Sequence, residues 1–343
     1  MGGDKMISLT RKTFLRVITV LMLTLLFVTA SAYASESLVV YSPLHEEEIA
    51  RILDKFSQET GIKAEFIRLS AGAVAARLIA EKDHPMADVF FGGSAETHES
   101  LIGEEILRPY QSPVLKDIDP AFYHPEYYWS GFYVGAIGFA INNARFKEKY
   151  PDKEYPTTWE DLLDPDYKGE ISMASPAASG TAYTVVATQF FRLGEEKAWE
   201  YLEGLHKNIS FYTTAGAAPA QHAALGECTI GIAFGHDVMK LIQSGYDLTL
   251  IYPKDTGWEV GAVSIVKGGP HPEAAEKFVD WILDVDGQQF HSDISLRVAT
   301  HPKVVLPEGA TPISELQLVD YDYEWAGQNR DRIVEEWNKR FLD

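Results

Sequence analysis

A histidine and an aspartate stand side by side in the segment GHD, as His236 and Asp237. The apolar run that ends at Phe234 predicts a buried strand, and the residues after Asp237 predict a helix. A neutral imidazole offers one donor and one acceptor, and a carboxylate accepts two hydroxyl groups. The pair therefore suits a ligand rich in hydroxyls. A metal site, a catalytic dyad and a loop histidine beside a helix cap are the alternatives.

A metal site or a catalytic dyad would need more groups than His236 and Asp237. A metal ion needs further ligands at suitable spacing, and none lies nearby in the sequence. A dyad needs a base that its partner orients, which residues adjacent in sequence seldom achieve, and the nucleophile motif G-x-S-x-G does not occur. Two interpretations of His236 and Asp237 therefore remain: a hydrogen-bonding pair for a polar ligand, and a loop histidine beside a helix cap.

Three segments rich in Ser, Thr, Gly and Ala each follow a predicted strand and begin a predicted helix: LSAGAV (69–74), SPAASGTAYT (175–184) and TTAGAAPAQ (213–221). Free N–H groups at a helix start bind oxyanions, and small side chains let the anion approach. Ordinary capping explains any one of these segments. Three together predict a shared anion site, with SGT at 179–181 as its leading part.

The charge balance limits the possible partners. Among 343 residues, 30 are basic and 50 acidic, which gives a formal net charge of −20. Such a chain repels nucleic acid and anionic membranes, and an anionic ligand must be held by local donors. The single cysteine, Cys228, cannot form an intrachain disulfide.

The start of the chain predicts export. Basic residues precede an apolar run at 17–30, which is short for a membrane span, and an A-x-A sequence follows at 32–34. This pattern predicts a signal peptide, 1–34, cleaved after Ala34, and a periplasmic location. A retained membrane anchor is the alternative.

The strands and helices that position the candidate residues begin in the order β-α-β-α-β. Strands are predicted at 37–43, 63–70 and 87–93, with amphipathic helices between them. This order implies a mostly parallel sheet covered by helices, which binds ligands at the carboxyl ends of its strands. Those ends are Ser42, Ser70 and 92–94.

The rest of the chain predicts a second lobe and a return to the first. A long strand at 131–142 suits a hinge, and 258–269 reads as the return strand. We also predict a helix capped at Thr158, one amphipathic helix over 271–290 and a solvated, mixed-charge C-terminal helix. Lobe 1 is then 35–131 with 262–325, lobe 2 is 132–261, and residues 326–343 pack on the lobes. Closure is expected around 131–135 and 260–264.

Three segments carry a family resemblance: TTWEDLLDPDYKGEISMASPAASGTAY (157–183), GECTIGIAFGHD (226–237) and HPEAAEKFVDWILDVDGQQF (271–290). They resemble the extracytoplasmic solute-binding proteins of ABC transporters, and most closely the ferric-ion-binding branch. The resemblance implies a class II periplasmic binding protein fold, with two α/β lobes joined by β-strand hinges that close on a ligand. It also implies a monomer that is not an enzyme, needs no cofactor and delivers its ligand to an inner-membrane permease.

The resemblance breaks down at the metal ligands. Iron-binding members carry two adjacent tyrosines where this chain has His236 and Asp237, whereas their anion pocket is matched by SGT at 179–181. Their histidine after the first strand is matched by His45, which would bind metal only if the ligand were ferric ion. The pattern is closer to the hexose-phosphate-binding branch, which implies that His236, Asp237 and Glu259 lie at the sugar.

The predicted ligand-binding residues come from strand ends, helix starts and the resemblance: Ser42, Ser70, Gly72, Ser179, Gly180, Thr181, Gly216, Ala217, His236, Asp237 and Glu259. Four aromatic residues could stack on a sugar ring: Trp129, Tyr133, Tyr183 and Trp258. The predicted function is a periplasmic receptor for a hexose 6-phosphate-like ligand. The alternatives are a receptor for ferric ion with phosphate, a receptor for an organophosphonate or polyamine, and, from another class, a secreted phosphatase.

Overall fold

The computed structural model describes residues 37–342, so the predicted signal peptide and its cleavage after Ala34 lie outside the described residues. Between residues 37 and 342, no helix is long and apolar enough to cross a membrane. The first part follows the predicted order: β1 (Ser37–Ser42), α1 (Glu46–Thr60), β2 (Lys63–Arg68), α2 (Ala71–Ala80) and β3 (Val89–Ser94). Helix α1 ends at Gly61, whose φ of 75° is the left-handed conformation that glycine adopts readily.

The remaining helices and strands follow in a less regular order. They are α3 (Ala95–Glu99), β4 (Leu107–Arg108), β5 (Ser130–Asn142), α4 (Asn143–Lys149), β6 (Ile171–Ala174), α5 (Gly180–Leu193), α6 (Glu195–His206), β7 (Ile209–Thr213), α7 (Ala218–Ala224), β8 (Ile230–Phe234), α8 (Gly235–Gln243), β9 (Leu248–Ile251), β10 (Trp258–Val266), α9 (Pro272–Leu283), α10 (Val285–Ser295), β11 (Val298–Ala299) and α11 (Tyr323–Phe341). Strand β7 precedes the third small-residue segment, where the sequence predicted a strand without bounds.

The strand order β2-β1-β3-β10-β5-β8-β6-β7 links two lobes through one long strand. Residues 130–136 of β5 pair with β10 in lobe 1, whereas residues 137–141 pair with β8 in lobe 2. Strands β1, β2 and β3 are parallel, while β10 runs antiparallel to both of its neighbours. The predicted lobe boundaries at 131/132 and 261/262 fall within β5 and β10, and the hinge motion stays a prediction.

Each lobe has its own apolar core. In lobe 1, Phe278 of α9 contacts Phe56 of α1 and Phe91 of β3, with ring centroids 5.1 and 5.0 Å apart. In lobe 2, Phe139 of β5 packs edge-to-face on Trp159 at 5.3 Å. Because such buried aromatic pairs add packing energy to the burial of their area, each lobe holds its strand ends in place independently.

Two helix predictions were wrong in extent. The single helix expected over 271–290 is broken at Asp284, whose ψ of 161° is extended and whose carboxylate accepts the N–H of Val285 to start α10. The helix expected after Thr158 is one 3₁₀ turn, 160–163. Pro165 explains its shortness, because the residue before a proline avoids the helical conformation.

The C-terminal helix is more deeply packed than its charge pattern predicted. Trp337 of α11 is 1 % exposed. Gly327 lies so close to Glu99 of α3 that a Cβ atom there would clash with that side chain. Helix α11 thus packs against α3 of lobe 1, and also against α5 of lobe 2.

Candidate functional site

A cavity of about 250 Å³ lies between the two lobes. Nine of the predicted ligand-binding residues line it: Ser70, Ser179, Gly180, Thr181, Gly216, Ala217, His236, Asp237 and Glu259. Sequence reasoning missed two arginines that also line it, Arg68 and Arg297. Ser94, Thr214 and Gln221 line it too, and they belong to the strand end and the small-residue segment that the sequence had indicated. The strand ends and helix starts of both lobes therefore converge on one cavity.

One end of the cavity is formed by helix starts. A Cβ atom on Gly180, at the start of α5, would lie 3.5 Å from the Cβ of Ala71, at the start of α2. The two helix starts therefore lie close together, and both line the cavity. Ser179 accepts the N–H of Ala182 at 3.4 Å, whereas Ser70 makes no capping bond with its side chain. The first N–H groups of both helices can bind an anion here, so this part of the cavity is its candidate anion end.

The third small-residue segment lies against the second. A side chain on Gly216 would collide with the hydroxyl of Thr181 and would come within 3.0 Å of Ser179 Oγ. Glycine is therefore required for this loop to approach the start of α5. The helix that follows, α7, is short and begins only at Ala218.

Two predicted residues do not line the cavity. Ser42 is fully buried, and its hydroxyl accepts the N–H of Leu44 at 3.2 Å, which shapes the turn after β1. Gly72 lies at the contact between the lobes, where a Cβ atom would be 3.1 Å from the carbonyl oxygen of Ala177. Their positions at a strand end and a helix start are as expected, but these residues shape the backbone around the cavity.

A second group of lining residues, the polar end of the cavity, is suited to hydroxyls. His236 and Glu259 both lie beside Gly135, where a Cβ atom would be 3.0 Å from His236 Nδ1 and 3.6 Å from Glu259 Oε1. The Nε2–H of His45, from lobe 1, donates to Oδ1 of Asp237, from lobe 2, at 3.1 Å. The lobes are therefore in contact at this polar end.

These side chains differ in protonation. Burial, and next the charge of Arg297, hold the pKa of His236 well below its usual value, so the imidazole is neutral. Burial raises the pKa of Glu259 to about 8. Burial also opposes ionisation of Asp237, but His236, the hydrogen bond from His45 and the charge of Arg297 outweigh it and lower that pKa. At neutral pH this end combines an imidazole, a neutral acid and a carboxylate.

A buried ionic cluster supports this end. Arg297 donates to Glu48, which also bonds His291 Nε2 at 3.0 Å and accepts from Lys240 Nζ at 3.2 Å. The Arg297 guanidinium lies 4.7 Å from the centre of the Tyr133 ring. Burial opposes ionisation of Glu48, yet the charge of Arg297 holds its pKa well below the usual value. The cluster fixes one wall of the cavity and joins α1 of lobe 1 to α8 of lobe 2.

Of the four candidate stacking aromatics, Tyr133 lines the cavity. The other three bond elsewhere. The indole N–H of Trp129 donates to Glu99 at 2.6 Å, and that of Trp258 donates to the carbonyl of Val319 at 3.2 Å. The Tyr183 hydroxyl donates to the carbonyl of Ala326.

A model of the family described as bacterial extracellular solute-binding protein matches residues 84–323. The chain belongs to this family. Solute-binding proteins of this kind bind small ligands in the periplasm and deliver them to a membrane permease. The match confirms the resemblance proposed from the sequence.

Similar proteins agree on the fold and differ in ligand. An uncharacterized protein of Haemophilus influenzae is 36% identical over 95% of this chain and 96% of its own. The periplasmic binding protein AfuA of Actinobacillus pleuropneumoniae was solved with fructose 6-phosphate bound. It is 36% identical to this chain, and the two structures superpose with a TM-score of 0.87 over 90% of this chain and 99% of AfuA. Iron-bound HitA of Pseudomonas aeruginosa shares the fold, with a TM-score of 0.78 over 88% of this chain and 99% of HitA. Its sequence is 20% identical. The class II two-lobed fold is thus confirmed.

Proposed function

We propose that this solute-binding protein is a monomeric periplasmic receptor that supplies a phosphorylated sugar, of hexose 6-phosphate type, to an ABC importer. The observation that carries the proposal is the chemical division of one cavity. The starts of α2 and α5 offer backbone donors for a phosphate, and His236, Asp237 and Glu259 offer partners for hydroxyls. A ligand that has both a phosphate and several hydroxyls satisfies both ends.

The phosphate must be held against the net charge of −20. A charge-assisted hydrogen bond contributes about 1.5–3 kcal/mol, so several are needed to reach about −8 kcal/mol, which corresponds to micromolar binding. Two helix starts and the hydroxyls of Ser179 and Thr181 can provide that number. Arg68, two residues before Ser70, lines the cavity and adds a positive charge.

Fructose 6-phosphate in AfuA supports this ligand class, because AfuA resembles this chain over nearly its whole length. Ferric ion is less well supported, since His236 and Asp237 stand where iron-binding relatives carry paired tyrosines. Among residues 37–342, no group of three or more His, Cys, Asp or Glu side chains is arranged to hold a metal ion.

Native mass spectrometry of protein purified from the periplasm without refolding tests the proposal, because tight ligands stay bound. We expect a co-purified mass equal to a sugar phosphate. Calorimetry of stripped protein should then show micromolar or tighter binding of fructose 6-phosphate or glucose 6-phosphate, and much weaker binding of fructose. Colour on adding ferric ion, with no heat from sugar phosphates, would overturn the proposal.

The same protein should not turn over its ligand. We expect no release of inorganic phosphate from fructose 6-phosphate during prolonged incubation, because binding proteins deliver solutes unchanged. Release at a rate proportional to protein concentration, and abolished in an Asp237→Ala variant, would indicate a phosphatase instead.

A further inference from the structure

A buried acid lies behind the anion end of the cavity. Glu96, on α3, has no exposed surface. Its Oε1 accepts from the Thr184 hydroxyl of α5 at 2.7 Å and from the Tyr321 hydroxyl at 3.3 Å. Its Oε2 is buried and has no hydrogen-bond partner within residues 37–342. A charged carboxylate here would repel a phosphate bound nearby.

Ser94 lies between this acid and the cavity. It ends β3, is 1 % exposed, and lines the cavity beside Gly93. Its hydroxyl is also without a hydrogen-bond partner in the described part of the chain. A Cβ atom on Gly180 would lie 3.2 Å from that hydroxyl, so Ser94 faces the start of α5, where a phosphate is expected.

The single proton of Ser94 can serve one acceptor at a time. If Glu96 is charged, it attracts that proton, and Ser94 then turns a lone pair toward the anion. If Glu96 carries a proton of its own, it donates to Ser94, and Ser94 donates to the phosphate. The second arrangement also avoids a carboxylate and a phosphate dianion at close range.

The surroundings of Glu96 shift it toward the neutral form without fixing that form in the free protein. Burial raises its pKa, and the hydrogen bond from Thr184 opposes that rise. Arg330 of α11 faces Glu96 and favours its charged form. A negative charge on Glu96 also raises the pKa of four other groups around it: Tyr183, Glu259, Tyr321 and Tyr323. A phosphate dianion in the cavity would raise the pKa of Glu96 further.

We propose that Ser94 is a further phosphate contact and that Glu96 is its positioning residue, which takes a proton from solvent when the phosphomonoester dianion binds. The neutral acid then donates to Ser94 Oγ and turns the Ser94 hydroxyl toward the phosphate. This inference rests on the proposed function and specifies how its anion end works. It predicts that ligand binding is coupled to proton uptake.

Calorimetry with fructose 6-phosphate from pH 7 to 9 tests the coupling in pairs of buffers with different ionisation enthalpies. In this range a phosphomonoester, with a second pKa of about 6, is already a dianion and releases few protons of its own. The wild type should take up protons, and its affinity should fall by up to tenfold per pH unit once Glu96 is ionised in the free protein. Glu96→Gln carries an uncharged donor, so its proton uptake and its pH-dependent loss of affinity should largely disappear. Ser94→Ala should bind at least tenfold more weakly at every pH.

Two further variants separate this coupling from other causes. Glu259→Gln removes the other acid with a raised pKa, and it should retain the proton uptake that depends on Glu96. Thr184→Val removes a donor that favours charged Glu96, so its loss of affinity should begin at a higher pH than in the wild type. If circular dichroism shows that Glu96→Gln does not fold, the pH dependence of affinity in Thr184→Val tests the role of Glu96 instead.

The inference is overturned if Glu96→Gln takes up as many protons as the wild type, if Ser94→Ala binds like the wild type, or if the Thr184→Val profile does not move upward. Inorganic phosphate serves as a second probe, because it needs the anion end alone. Binding of inorganic phosphate without binding of fructose 6-phosphate would refute the proposed sugar specificity. The Ser94 and Glu96 variants would then be judged with inorganic phosphate.

Discussion

His236, Asp237 and Glu259 show how burial gives neighbouring polar groups different tasks. The imidazole is neutral, Asp237 is held charged by its neighbours, and Glu259 keeps its proton up to a pH of about 8. A sugar hydroxyl can donate to one group and accept from another, so such a mixture matches hydroxyls better than three charges would.

Asp237→Ala should weaken binding of fructose 6-phosphate by about ten- to a hundredfold. The physical reason is that hydroxyls left unpaired in a buried site cost roughly 1–3 kcal/mol each. Inorganic phosphate should lose much less affinity, because it does not reach this end. Calorimetry with both ligands measures the difference. Asp54→Ala, an exposed change of equal charge on α1, is the control; equal losses for both ligands would assign Asp237 to closure or folding.

Glu259→Gln should flatten the dependence of stability on pH. The pKa of Glu259 is about 8 in the folded protein against an ordinary 4.5. Its contribution to the free energy of unfolding is therefore fully present below pH 4.5 and is lost as the pH rises through 8. Melting temperatures of ligand-free wild type and Glu259→Gln from pH 4 to 9 should converge or cross as the pH rises. Parallel curves would contradict the buried acid.

The sequence identified the residues whose local signal is strong and missed those that depend on tertiary contacts. His236 and Asp237 follow a buried strand, so their place at a strand end was readable. Glu48 looks like one of three solvated glutamates at the start of α1, and its burial depends on Arg297, about 250 positions later. No local pattern predicts such a pair, because its two members belong to different elements.

Among the elements, helix starts were easier to predict than helix ends. The starts of α2 and α5 lie where Ser70 and Ser179 predicted them. The break at Asp284 was missed because the apolar spacing stays nearly helical through it, and the aspartate caps a new helix instead of continuing the old one. Strand β7 has only partly buried and exposed positions, so its apolar signal is weak.

Gly180→Leu should abolish binding of every phosphate ligand, with a loss of at least a hundredfold. A Cβ atom at this start of α5 would already contact Ser94 and Ala71, so a leucine side chain would force the two helix starts apart. Titration with fructose 6-phosphate and with inorganic phosphate measures the loss. Gly103→Leu is the matched control, since nothing lies within 4 Å of its Cβ position. Undiminished phosphate binding by Gly180→Leu would place the anion site elsewhere.

The two lobes of the whole molecule are held together by polar contacts around the cavity: His45 with Asp237, Lys240 with Glu48, and Thr184 with Glu96. If the lobes open and close as predicted, a contact that does not touch the ligand, such as Lys240 with Glu48, shifts the balance between the two forms. A shift toward the open form lowers the apparent affinity for every ligand equally.

Lys240→Ala should therefore weaken fructose 6-phosphate and inorganic phosphate by the same factor, about two- to fivefold, as expected for the loss of a partly exposed ion pair. X-ray scattering should show a slightly larger radius of gyration at subsaturating ligand. Lys55→Ala, which breaks an ion pair within α1, is the control and should leave affinity unchanged. Selective loss of one ligand would mean that Lys240 acts on the ligand itself.

The place of β10 between β3 and β5 has a consequence for the order of folding. The strands of lobe 2 lie between residues 137 and 251, so that lobe can form as soon as they are translocated. Lobe 1 must wait for β10 and for Phe278 of α9, which completes its core, and pairings so distant in sequence form slowly. Until then β3 presents an unpaired edge to other chains. In pulsed hydrogen exchange during refolding, amides of β8 should gain protection before those of β3.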